Sequence, residues 1–134
     1  SDNALYYLKS AHYFNIYIKL NFIMKEEYIF VYGQFRDLAK NLLQQPILCG
    51  KTSINGKIYQ VNTAYPGYVD GDGKVLGDVY LIDPAILPTL DEYEGEEYDR
   101  VKVFTETDIE CWVYKYKYDV TNFKEIECGD WWLR

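Results

Sequence analysis

The chain has 134 residues, of which 49% are hydrophobic and 18% aromatic, fifteen of them tyrosines, and it carries a formal charge of −7. That length and apolar content support one core without disulfides or metal and exclude a disordered segment. An acidic field excludes nucleic acid and anionic membrane surfaces as partners.

The cysteines, Cys49, Cys111 and Cys128, are odd in number, far apart, and form no ligand pattern with the lone His12. Neither a disulfide framework nor a structural metal site is expected from them. No run reaches the roughly 18 apolar residues that span a bilayer, and the start lacks a basic region with a cleavage site. A cytoplasmic protein is expected.

The one methionine, Met24, opens "MKEEYIFVYG", which reads as the start of a domain over residues 24–134. Residues 1–23 then form an N-terminal extension or a cloning remnant. Within them Phe14, Ile16, Ile18, Leu20 and Phe22 alternate with polar or amphipathic residues. That period of two predicts an amphipathic strand, which needs a sheet edge, in this chain or across a homodimer.

Next come "YIFVYG", an apolar strand stopped by Gly33, and "RDLAKNLLQQP", a short helix ended by Pro46. Asn55-Gly56 predicts a type I′ hairpin. "AYPGYVDGDGKVLGDVYLI" predicts two strands around a surface turn at residues 70–74. That turn does not suit calcium, because Lys74 holds the third ligand position and Leu81 the twelfth. Asp83-Pro84 starts a helix that restarts or kinks at Pro88 and ends at Gly95. "YDRVKVFT" and "CWVYKYKYDV" form a hairpin through "ETDIE", and the tail closes on Trp131 and Trp132. Five or more short strands with one or two helices predict an α+β fold around a small mixed β-barrel.

In the acidic helix Leu87, Leu90 and Glu94 fall at i, i+3 and i+7, so Glu94 continues an apolar ridge, flanked by Ile86 and Tyr93. Losing water raises a carboxyl's pKa and suits it to proton transfer near neutrality. The alternatives are that Glu94 reaches solvent past Gly95 or pairs with Arg36 or Arg100. The strand-to-helix turn at "VYGQFR" exposes backbone N–H groups able to seat a carboxylate or oxyanion, with Gly33 allowing close approach.

Together these stretches resemble the gamma-glutamylcyclotransferase-like, or AIG2-like, family. The first family motif, a strand into Tyr-Gly-Ser/Thr-Leu-Arg, corresponds to Tyr32, Gly33, Gln34, Phe35 and Arg36. The second, Leu-Asp-x-x-Glu-Gly with a following Tyr-x-Arg, corresponds to Leu90, Asp91, Glu94, Gly95, Tyr98 and Arg100. "VLGDVYLID" is similar to a third, Gly-Glu-Leu-Tyr, with Asp78 for Glu. The resemblance spans residues 26–118.

The resemblance implies a small mixed α/β barrel and a cyclotransferase that releases 5-oxoproline from a γ-glutamyl amine or peptide, with no cofactor and no metal. Glu94 would be the general acid/base, the backbone of residues 33–35 would hold the glutamyl group, Arg36 would support that loop, and Tyr98 would position substrate or pack. Gln34 and Phe35 depart from the family's small hydroxyl residue and leucine. The alternative reading is a non-catalytic small-ligand-binding module of the same fold.

Overall fold

The computed structural model describes residues 10–13, 26–33 and 47–134. Six strands form one mixed sheet: β1 (Glu27–Val31), β2 (Ile47–Gln60), β3 (Gly67–Ile82), β4 (Tyr98–Phe104), β5 (Glu110–Tyr116) and β6 (Lys124–Glu125). Their order is β4-β5-β1-β3-β2-β6, and β5 also touches β3. β1 runs parallel to β5 and antiparallel to β3, so it lies between them. A helix, α1 (Leu87–Glu94), follows a 3-10 turn at Pro84–Ile86. The result is an α+β fold whose sheet curls into a half-barrel.

β1 is apolar without alternation because both its faces are covered. Phe30 faces the inside of the curl with Ile54, Ile58, Val75, Val79 and Val113. Ile29 and Val31 face outward, under Ile86, Leu87 and Leu90 of the helical segment. Thus α1 is the outer cover of the central strand, seated by the ridge that ends in Glu94.

The curl closes beyond the end of β1. There β3 and β5 meet directly, with Tyr68 opposite Lys115. The Tyr32 side chain fills the fork: its hydroxyl donates to the Tyr114 carbonyl at 2.7 Å and accepts from the Tyr68 amide at 3.1 Å. Tyr32 therefore joins the three strands at their seam.

Two expectations are corrected. Asn55-Gly56 is no hairpin turn, because β2 runs through it: Asn55 pairs with Lys74 and Lys57 with Val69. A Cβ on Gly56, whose φ is 149°, would lie 2.4 Å from the Tyr68 ring. Close approach to the neighbouring strand, inside a bulge, explains the glycine. Likewise residues 70–74 do not reverse the chain. β3 pairs with β2 in one direction on both sides of residues 70–73, which are extra residues in the register. The real reversal is residues 61–66, where the Asn62 side chain accepts from the Ala64 amide at 2.9 Å.

Other expected elements form. The β4–β5 hairpin pairs from Tyr98–Tyr116 to Phe104–Glu110. Asp83 caps the turn at Pro84 through the Ala85 amide, and Gly95 ends α1. At the tail Trp131 is buried, whereas Trp132 is largely exposed. No helix among the described residues is long and apolar enough to cross a membrane. The strand expected within residues 14–22 and the helix expected before Pro46 lie outside the described residues.

Candidate active site

A cleft of about 340 Å³ opens where the end of β1, the loop of residues 61–66, the end of α1 and the start of β4 meet. Tyr32 and Gly33 form its floor, Pro66 and Tyr98 one side, and Glu94 and Tyr114 another, with Tyr65, Tyr93 and Glu97 at the rim.

Gly33 is required by contact. A Cβ there would sit 2.7 Å from Cδ of Pro66, so any larger residue pushes the loop away. Pro66 is held from the other side, its carbonyl accepting from the Tyr98 hydroxyl at 2.8 Å. One tyrosine and one glycine thus fix the loop across the cleft.

Burial raises the Glu94 carboxyl to about 7, and among the described residues no cation opposes the shift. Arg100 does not pair with Glu94, because its guanidinium grips Asp91 with two bonds of 2.7 and 3.1 Å. Asp91 also accepts from the Tyr114 hydroxyl at 2.8 Å, and these donors, Arg100 foremost, lower its carboxyl. One turn of helix therefore carries two carboxylates in opposite states: Asp91 held ionised and Glu94 poised to exchange a proton at neutrality.

The tyrosines around Glu94 stay protonated. Burial above all, then the neighbouring Tyr98 and Glu94, hold the Tyr32 hydroxyl well above its ordinary value. Burial, then Glu94, does the same for Tyr98, and burial, then its bond to Asp91, for Tyr114. They serve as hydrogen-bond donors and walls.

Of the residues expected at the site, Glu94, Tyr32, Gly33 and Tyr98 lie on one cleft. Gln34, Phe35 and Arg36 lie outside the described residues. Sequence reasoning missed Tyr114 as a wall of the cleft, Asp91 as the partner of Arg100, and Pro66 over Gly33. For Tyr114 a signal existed: in "YKYKY" Tyr114 and Tyr116 alternate with lysines and share a face. Nothing local in the sequence assigns Arg100 to Asp91 over Glu94. Among the described residues no group of three or more His, Cys, Asp or Glu side chains is placed to hold a metal ion. Burial pushes the Cys111 thiol up to about 12, so it remains neutral inside the core.

The profile of "Gamma-glutamyl cyclotransferase, AIG2-like" matches residues 29–133, and the chain belongs to that family. The gamma-glutamylcyclotransferase family protein YtfP of Escherichia coli K12 is 41% identical over 108 residues, covering 77% of this chain and 94% of that protein. The solution structure of ytfP from Escherichia coli, 38% identical, superposes with a TM-score of 0.63 over 78% of this chain and 95% of that one. The crystal structure of an AIG2-like protein from Mus musculus shares the fold, with a TM-score of 0.58 at 20% identity, covering 72% of this chain and 90% of that one.

Proposed function

We propose that the protein is a cyclotransferase acting on a γ-glutamyl amine or γ-glutamyl peptide, with Glu94 as general acid/base. The observation that carries this reading is the Glu94 carboxyl, raised to about 7 by burial and facing a cleft floored by Tyr32 and Gly33.

The ionised Glu94 takes a proton from the substrate's α-ammonium. The freed amine attacks the γ-carbonyl carbon of the same molecule, closing a five-membered ring. The bond from that carbon to the leaving nitrogen breaks as Glu94 returns its proton to that nitrogen, and the ring nitrogen sheds its second proton to the Glu94 carboxylate, which passes it to solvent. The products are 5-oxoproline and the free amine, and the enzyme ends as it began, with no water consumed. Holding the glutamyl group folded supplies proximity, the larger part of what such a ring closure needs from a protein. Backbone N–H groups from Gly33 onward are proposed to hold the glutamyl group and the developing oxyanion. Tyr98 is assigned to keep Pro66, and with it the wall of the cleft, in place.

The test is 5-oxoproline release from a panel of γ-glutamyl amines, γ-glutamyl dipeptides and γ-glutamyl-ε-lysine. Turnover is expected from at least one member, with an acid limb near pH 7 set by Glu94, and Glu94→Gln should abolish it while keeping the fold. No release from any member by folded protein would turn the reading to a ligand-binding module of the same family.

A further inference from the structure

Asp91 stands one helical turn before Glu94, its side chain 43% exposed on one side and held from two strands on the other. Its side chain takes two bonds from Arg100 on β4 and one from Tyr114 on β5. Its backbone carbonyl takes the Gly95 amide at 3.0 Å, closing the turn that carries Glu94. The same Tyr114 accepts the Tyr32 hydroxyl at its carbonyl, so one network runs from Arg100 through Asp91 and Tyr114 to the floor of the cleft.

Arg100 lies on the far side of a shared wall. Tyr98 and Tyr114 line both the cleft and a shallower hollow that contains Asp91 and Arg100. Among the described residues, the ionisable groups about Glu94 are Tyr32 just past β1, Tyr98 and Arg100 of β4, Tyr114 of β5, Tyr65 and Glu97 at the rim, and Asp91 and Tyr93 of α1 itself. The lysines of these strands are held elsewhere, Lys102 by Glu27 and Glu110 and Lys115 by Asp70.

We propose that Asp91 is the positioning residue of this site: its carboxylate anchors the last turn of α1 to β4 and β5, and by occupying Arg100 it keeps that guanidinium from pairing with Glu94. The proposal rests on Glu94 being the working acid/base, but its test does not need turnover. A merely structural anchor and a charge-balancing one differ in sign. If Asp91 only held the helix, removing either partner would loosen α1, admit water and return Glu94 toward the ordinary carboxylate range. If it also balances charge, Asp91→Asn frees the guanidinium, then held only by its stacking 4.2 Å over the Trp112 ring and by the field of Glu27, to act on Glu94 across the shared wall, whereas Arg100→Gln leaves an uncompensated anion one turn away.

The experiment is a pH titration of the intact protein carrying glutamate labelled with carbon-13 at the side-chain carboxyl, with Glu94→Gln to assign the signal. Relative to wild type, the Glu94 midpoint is expected to fall by about one pH unit in Asp91→Asn and to rise in Arg100→Gln. Movement of both variants downward, or of neither, overturns the proposal. Should Asp91→Asn fail to fold, Arg100→Gln decides alone: a rise supports the proposal, and a fall or no change overturns it. If wild type releases no 5-oxoproline yet the midpoints move in opposite directions, the cyclotransferase reading fails and this one stands. Where turnover is found, Asp91→Asn should cut kcat at least about tenfold with little change in KM, since ground-state binding does not use Glu94's proton.

Discussion

Glu94 is useful only because it is poorly solvated, and that has a thermodynamic side. Its carboxyl is raised to about 7 in the folded chain, against roughly 4.3 in an unfolded one. The folded state therefore holds the proton more tightly. The associated stability is fully present below the unfolded value and is lost as pH rises through about 7. Glu94→Gln should consequently be more stable than wild type at pH 8, by at most about 4 kcal/mol and less where the cleft mouth screens the charge. Urea unfolding at pH 8 and at pH 4.5 measures this, and the gap should nearly vanish at the lower pH. The helical stripe ending in Glu94 was legible in the sequence because a spacing of i, i+3 and i+7 survives any tertiary context that covers the ridge. The choice of Arg100 between two carboxylates one turn apart was not legible, since only the placement of β4 and β5 against α1 decides it.

At the scale of elements, local chemistry was informative where the feature is closed within a few residues. Asp83 caps the turn leading into α1 by accepting the Ala85 amide at 3.0 Å. Asp83→Ala should lose about 1 kcal/mol of stability, read as a lower urea midpoint, with kcat unchanged because the cap lies at the far end of the segment from Glu94. The β4–β5 hairpin was readable for the same reason. Asn55-Gly56 and residues 70–74 misled because their turn chemistry served a long-range purpose. Gly56 lets Tyr68 of the next strand come close, and residues 70–73 absorb the resulting shift in register. Which strands become neighbours also escaped local reading: β1 finds β3 and β5, segments distant in sequence.

At the scale of the whole molecule, one hydroxyl holds the sheet's closure. Tyr32→Phe would strand the Tyr114 carbonyl and the Tyr68 amide, both bound now by that single oxygen. Two buried backbone groups without partners should cost roughly 2 kcal/mol or more. Thermal unfolding measures the loss, and because the seam joins three strands the transition should stay cooperative while moving to lower temperature.

That seam has a further meaning for how such a protein can change over time. Tyr32 and Tyr114 both join the sheet at its seam and line the cleft, so a substitution at either is tested twice, once by folding and once by whatever the cleft holds. Tyr65 and Glu97 stand at the cleft mouth, away from that closure. On the proposed cyclotransferase reading, lineages can therefore explore new leaving groups at the mouth while the reactive centre is kept constant by the demands of the fold itself.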